Sequence, residues 1–421
     1  MYEVTQLSNG VRVATAAMPQ MESVSVGMWV GIGGRYEPKR VSGISHFIEH
    51  LLFKGTRRRT AKQISQTVEG VGGYLNAFTS EETTCYYAKA AHNHLDKLLD
   101  VLADMYLHPL FAAADVDKER QVIKEELLMY RDQPDHYVHE LLTETVWPEH
   151  PLGRSLTGTP ESLDAMTRAS LLEFKHRKYV AANTILAVAG HCEHGDIVER
   201  AQQKLSLPRN GVAPGFVAAR DGQRSVRLRF LSKNVEQTHL ALAIRGYSRR
   251  DPRRFALKLL SVIAGENMSS RLFQTIREKH GLAYSIQSST SFFADTGALV
   301  ISAGLDTKRL PRALKLVMQE LKKLSRRPPS VDELRRAKDY SIGQMRLGLE
   351  STSNQMMWVG EHLLAYGIIQ TPREIERQVE AVTPEQVQAA ARELFRDNRL
   401  NGAVITPSKD ERSVGDLMTF A

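Results

Sequence analysis

The sequence predicts an α+β protein of two homologous domains, each an antiparallel-rich sheet covered by helices. Three observations predict it: the length, a punctuated centre, and an order of elements that repeats. The chain has 421 residues, past the size at which one hydrophobic core stops growing, so two domains of about 200 residues are expected. A stretch rich in proline and glycine from Leu207 to Gly222 separates the halves and reads as a linker. The expected organisation is a first domain over residues 1–207, a linker over 208–222 and a second domain over 223–421.

In the first half, Val4 to Thr15 alternates around Ser8-Asn9-Gly10, predicting two short strands and a turn. Ser23 to Val30 alternates as a central strand. Gly31-Ile32-Gly33-Gly34 ends it, and because no helix opens directly behind, this is a poor dinucleotide loop. Ser45 to Phe53 reads as a helix, with Ser42 or Ser45 available as its cap. Thr60 to Val71 is a second helix, broken by Gly72-Gly73, and the aromatic, β-branched run Tyr74 to Ala90 predicts strands about a polar turn at Thr79 to Glu82. Helices over His94–His108, stopped by Pro109, and over Asp115–Met129 follow.

The second half opens with strand patterns at Ser225–Leu231 and His239–Ile244. Its resemblance to the first is faint but readable. Met166-Thr167 starts a helix to Tyr179 with a strand at Asn183–Ala189 behind it, and Val382-Thr383-Pro384 starts one to Phe395 with a strand at Leu400–Ile405. Val116-Asp117 and Val331-Asp332 likewise each lead into a long helix. Two copies of one α+β unit account for both pairs.

Composition excludes several classes. Hydrophobic content of 42% and charged content of 25% are those of an ordinary globular protein and exclude disorder. The net charge of +8 comes with no recognised motif or aromatic–basic interleaving, so a nucleic-acid partner is not expected. Arg57-Arg58-Arg59 with Lys54 and Lys62 is the one compact basic cluster, read as a solvated loop. The two cysteines, Cys85 and Cys192, form no Cys-x-x-Cys pair; free buried thiols and a reducing compartment are expected. With neither a basic leader before an apolar run nor a transmembrane segment in the sequence, a cytoplasmic location is expected.

The chemistry gathers in His46-Phe47-Ile48-Glu49-His50. Residues three and four apart share a helix face, so both imidazoles can reach one ion with the Glu49 carboxylate beside it. Two nitrogens, a carboxylate oxygen and an open water position suit catalytic zinc, and a neighbouring glutamate can take the water's proton. This is the inverse of the His-Glu-x-x-His order. Ile44, Phe47, Ile48, Leu51 and Leu52 make the segment otherwise core-like, so its ionisable groups need partners. A distant helix carries Glu119, Glu125 and Glu126. Spacing alone does not choose among them, but Glu119 and Glu126, seven apart, share a stripe that supplies a ligand and a carboxylate behind it. His92, His94, His136 and His139 lack any such carboxylate framework and read as surface or polar-packing residues.

These residues resemble the pitrilysin/insulinase superfamily, in its short, bacterial mitochondrial-processing-peptidase-like branch of zinc peptidases, over nearly the whole chain. His46 to Thr56 matches the family's zinc motif and its continuation. The resemblance puts the third zinc ligand 76 residues past His50, at Glu126, with Glu119 behind it. It makes Gly72 to Thr79 the strand that pairs with extended substrate, with Asn76, Ala77 and Phe78 against it. Arg277 and Tyr284 match the family's arginine–tyrosine pair, implying that Arg277 binds substrate carbonyls and Tyr284 supports the oxyanion.

The second half lacks His-x-x-Glu-His, and Glu119 and Glu126 align there with Leu334 and Ser341. It is therefore expected to be a non-catalytic domain completing the cleft. Ala264 to Ser270 is too short for the glycine-rich loop of the family's non-catalytic subunits, which makes this chain the catalytic type. The resemblance implies a fold of the metalloenzyme LuxS/processing-peptidase-like type. It also implies one Zn2+ per chain, endopeptidase action on short or unfolded peptides, and pairing as a homodimer or as a heterodimer with a related subunit. A non-proteolytic or partner-dependent subunit is the alternative.

Overall fold

The computed structural model describes residues 2–208 and 212–420; residues 209–211 of the expected linker lie outside them. Strands β1 (Tyr2–Gln6), β2 (Arg12–Ala17), β3 (Ser23–Val30), β4 (Tyr74–Thr79), β5 (Thr84–Ala91) and β6 (Thr184–Gly190) form one sheet. Its order is β1-β2-β6-β3-β5-β4. The β2–β6 pair is parallel and the others antiparallel, so the sheet is mixed. β3 alternates as its sequence demands: Val24, Val26, Met28 and Val30 enter the main core, while Ser25 and Trp29 face the other way.

The main core is closed by helices α1 (Ile44–Leu52), α2 (Ala61–Glu69), α3 (Leu95–Leu107), α4 (Ala113–Asp132), α5 (Pro134–Val146), α6 (Pro160–Asp164), α7 (Arg168–Lys178) and α8 (His194–Lys204), with the exception of α5. The opposite face of the sheet is covered by the helix Thr352–Tyr366, whose Met356, Val359 and Leu363 pack on Trp29, Ala187 and Ala189. Gly27 and Gly360 permit the approach. A Cβ on Gly27 would meet the Met356 sulfur at 2.3 Å, and one on Gly360 would meet Trp29 Nε1 at 2.1 Å.

The second sheet contains β7 (Arg227–Ser232), β8 (Thr238–Gly246), β9 (Ala283–Phe292), β10 (Gly297–Leu305) and β11 (Leu400–Thr406), in the order β7-β11-β8-β10-β9. Only β7–β11 is parallel. Strand for strand this is the first sheet without β1, which gives the two units one architecture. Leu240, Leu242 and Ile244 face a core closed by second-half helices. Ala241, Ala243 and Ala403 face α5 through Val138, Leu141 and Leu142.

The compact units therefore depart from a linear division of the chain. One comprises Met1–Leu128, Arg154–Val217 and Leu347–Gln370, the other Met129–Gly153, Ala218–Arg346 and Thr371–Ala421. The physical reason lies in the sheets: each has two apolar faces, and helices of its own half cover only one. Each half supplies the helix that covers the other's second face. Periodicity cannot reveal this exchange, since an apolar stripe does not name its partner.

Candidate metal centre

α1 lies against β4 and β5 in the first unit, with Phe47, Ile48, Leu51 and Leu52 wholly buried. That packing fixes the helix rotation, so His46, Glu49 and His50 emerge together on its remaining face. Neither Ser42 nor Ser45 caps it. The N-cap is Gly43, in the left-handed region at φ 92°, and the capping acceptor is the buried side chain of Glu37. Its Oε2 accepts from Gly43 N at 2.6 Å and its Oε1 from Ser45 N at 2.8 Å. Burial raises the Glu37 pKa, while these N–H groups and the nearby Arg154 charge favour the carboxylate. A Cβ on Gly43 would lie 2.8 Å from the Thr157 and Gly158 backbone, so the serine cap is excluded by space as well as by conformation.

α4 brings up the carboxylates. Glu126 Oε2 lies 3.7 Å from His46 Nε2 and 3.5 Å from His50 Nε2. One ligand atom from each of His46, His50 and Glu126 lies within 4.8 Å of the others, the one His/Cys/Asp/Glu group able to hold a metal found among the described residues. Glu119, two turns earlier and buried, meets His50 Nδ1 at 3.2 Å and Lys54 Nζ at 2.7 Å. The donor set fits a metal such as zinc, which takes imidazole nitrogen and carboxylate oxygen. Glu119 holds the far nitrogen of one imidazole, the arrangement that orients a ligating histidine.

Electrostatics separate the roles. Burial and the charge of His50 pull the His46 pKa down to about 4, against the opposing pull of Glu126; a pKa this low favours the neutral form, in which an imidazole can ligate a metal. Burial also pulls His50 down, yet its hydrogen bonds to Glu126 and Glu119 raise it overall. Glu49 is raised by burial, and the Thr79 hydroxyl donates to its Oε2. A partly buried carboxyl with a raised pKa beside a donor cluster is equipped to accept and return a proton.

Among the described residues β4 is an edge strand, paired only with β5. Leu75 and Ala77 face the core that contains α1, and Thr79 on the same face reaches Glu49. Asn76 is exposed, its Oδ1 accepting from Ala77 N at 2.8 Å, and Phe78 packs edge-on to Trp29 at 5.6 Å. Arg277 and Tyr284 belong to the second unit, where the guanidinium stands 5.5 Å from the Tyr284 ring centre and the tyrosine is 79% exposed.

Glu37, Lys54 and the Thr79 contact escaped the sequence reading. Lys54 could have been found, being one further turn along the His46 and His50 face. Glu37 could not, because its contact depends on the loop fold. Within the basic cluster Lys54 pairs with Glu119, Arg58 with Asp100, and Arg59 with Asp100 and Asp104, while Arg57 and Lys62 are exposed. Cys85 and Cys192 are free and buried. Among the described residues no helix is long and apolar enough to cross a membrane.

Two imidazoles and a carboxylate converging beside a buried glutamate, on this α+β scaffold, define a metal-dependent hydrolase. Residues 12–160 match the family model described as insulinase (peptidase family M16), and residues 165–340 match the one described as peptidase M16 inactive domain. An uncharacterized zinc protease of Mycobacterium tuberculosis is 39% identical over 97% of this chain and 94% of its own. One from Bacillus subtilis is 37% identical over 95% of this chain and 97% of its own. The chain belongs to the insulinase family, peptidase family M16. A solved protease from Helicobacter pylori shares the fold, at TM-score 0.91 and 24% identity over 97% of this chain and 99% of that one. So does a peptidase M16 inactive domain structure from Pseudomonas fluorescens, at TM-score 0.89 and 20% identity over 97% and 98%.

Proposed function

We infer that the chain is a zinc-dependent endopeptidase acting on short or unfolded peptides, with one zinc held by His46, His50 and Glu126. The observation that carries this reading is the convergence of those three side chains within 4.8 Å, with Glu49 alongside on α1. The zinc-protease names of the relatives support the choice of metal.

Zinc bound there would lower the pKa of its water towards neutrality and polarise the scissile carbonyl. Glu49 is the base that takes the water's proton and then gives it to the leaving amine, its pKa held up by burial for both tasks. Thr79 holds the Glu49 carboxylate in place through its hydroxyl. The unpaired side of β4 offers main-chain groups to an extended peptide at Asn76, Ala77 and Phe78, a mode of recognition tolerant of side chains. By resemblance, Arg277 takes substrate carbonyls and Tyr284 the oxyanion. The same resemblance supplies the LuxS-type grouping and pairing with a second copy or a related subunit, and the two free, buried thiols agree with a reducing, cytoplasmic location.

Metal analysis and molar mass of the purified protein, followed by cleavage of a mixed peptide pool with and without chelator, tests the reading. About one zinc per chain and chelator-sensitive cleavage are expected. A metal-free, inert protein that still binds peptide would overturn it in favour of a non-proteolytic subunit.

A further inference from the structure

The last turn of α7 carries Lys175, His176, Arg177 and Lys178. Basic residues at a helix C-terminus are ordinarily accounted for by the helix dipole and point into water. Arg177 does so, in an exposed pair with Glu173 at 2.9 Å. Lys175 behaves differently. Its Nζ lies over two buried rings, 5.7 Å from the centre of Tyr106 and 5.5 Å from that of Tyr179. The hydroxyls of those rings are engaged elsewhere, Tyr106 with Thr184 at 2.7 Å and Tyr179 with Tyr86 at 3.0 Å. The ammonium thus meets ring faces rather than oxygen acceptors, and it forms no ion pair or hydrogen bond among the described residues. Burial alone lowers its pKa to about 8, with no acidic neighbour to offset it. A largely buried cation without a counter-charge is costly to keep.

Lys175 borders a cleft of about 370 Å³ in the first unit, within the size range of small-molecule sites. Among the described residues its walls add His108, His176 and Arg177, the last already paired with Glu173, and no aspartate or glutamate. Leu107 and Leu207 supply apolar surface between them. Neither the metal centre nor the β4 edge uses any of these residues. We propose that the cleft is a binding site for a small amphiphilic anion, whose carboxylate or phosphate meets the Lys175 ammonium while its apolar body lies against Leu107 and Leu207. A charge-assisted hydrogen bond supplies what the lysine lacks, and the walls select a ligand with a hydrophobic part over a bare ion.

The test is calorimetric titration of the full-length, zinc-loaded protein with octanoate, hexyl phosphate and inorganic phosphate as probes. Saturable binding of octanoate or hexyl phosphate is expected, and the tighter of the two identifies the anionic group. Lys175→Met should weaken it at least tenfold, whereas Lys175→Arg, which keeps the charge, should retain it. If Lys175→Met fails to fold, Arg177→Gln and His108→Gln provide the comparison, each expected to weaken binding several-fold. Binding should survive in His46→Ala, which separates the cleft from capture of the probe at the metal centre. The proposal is overturned if neither amphiphilic anion saturates, if the cleft variants bind as tightly as the parent, or if His46→Ala abolishes binding. Inorganic phosphate binding as tightly as hexyl phosphate would overturn the part assigned to the apolar wall.

Discussion

The Glu37 carboxylate accepts a hydrogen bond from the backbone N–H of Ser45 at 2.8 Å, while its second oxygen holds Gly43 N–H at 2.6 Å. It thereby closes the N-terminus of the helix that presents His46, Glu49 and His50. Glu37→Ala leaves both N–H groups buried and unpaired, at about 1–3 kcal/mol each. A loss of about 2–6 kcal/mol in denaturant unfolding is expected. Because His46 lies in the first turn, metal affinity should fall with it. Glu37→Gln keeps one good acceptor and should lose roughly half as much. Unchanged metal affinity in Glu37→Ala would show that α1 is held by its packing alone.

Glu49 feels the charges of His50 and Glu126 without belonging to the donor cluster, which separates its variant from those of the ligands. Glu49→Gln should keep its zinc and lose turnover by about a hundredfold or more, the range for removing a positioned base. His46→Ala, His50→Ala and Glu126→Ala should instead purify depleted in metal. Metal content and kcat, measured side by side, distinguish the two outcomes. Cleavage by Glu49→Gln at the parental rate would remove Glu49 from the mechanism.

The chemistry of this fold was legible in the sequence to the extent that it is local. The i, i+4 spacing of His46 and His50 and the two-turn spacing of Glu119 and Glu126 are properties of single helices, and the structure brings both pairs together. Strand alternation around β3 was equally plain. What escaped was long-range or unpatterned. The Glu37 cap depends on a loop returning over α1, and a serine stood at each position where a cap is ordinarily sought. The crossing of α5 and of the helix Thr352–Tyr366 to opposite sheets depends on which apolar face remains uncovered, information that no single segment carries. The cleft beside Lys175 is assembled from α3, α7 and the chain after α8, three segments with no shared motif.

Lys175 also gives a prediction about pH. Its folded pKa of about 8 lies below the value of 10.5 expected in the unfolded chain, so between those values the unfolded state binds more protons. Stability contributed at this site therefore rises as pH increases from about 8 towards 10, and the lysine is most destabilising below pH 8. Lys175→Met removes the term. In anion-poor buffer the variant should be more stable than the parent at pH 7, by about 1–2 kcal/mol once solvent screening is allowed for. The gap should narrow towards pH 10. A gap independent of pH would mean that the ammonium is hydrated in the folded protein.

One substitution, glycine to alanine in the middle of a helix, should act with opposite sign in the two units. Alanine is the better helix former by about 1 kcal/mol, and in the helix Val331–Gly348 a Cβ on Gly343 would meet nothing within 4 Å. Gly343→Ala should raise the melting temperature of its unit, by about 0.4–1 kcal/mol of stability. Gly360 faces Trp29 instead, with its would-be Cβ 2.1 Å from Nε1 and 2.3 Å from Cε2 of a ring that is 2% exposed. Neither a buried indole nor a packed helix can retreat that far without opening the layer between Thr352–Tyr366 and the first sheet. Gly360→Ala should therefore cost about 1–3 kcal/mol despite its propensity gain. Calorimetry of the two variants checks both signs; a stabilising Gly360→Ala would mean that this helix is not held against Trp29 in solution.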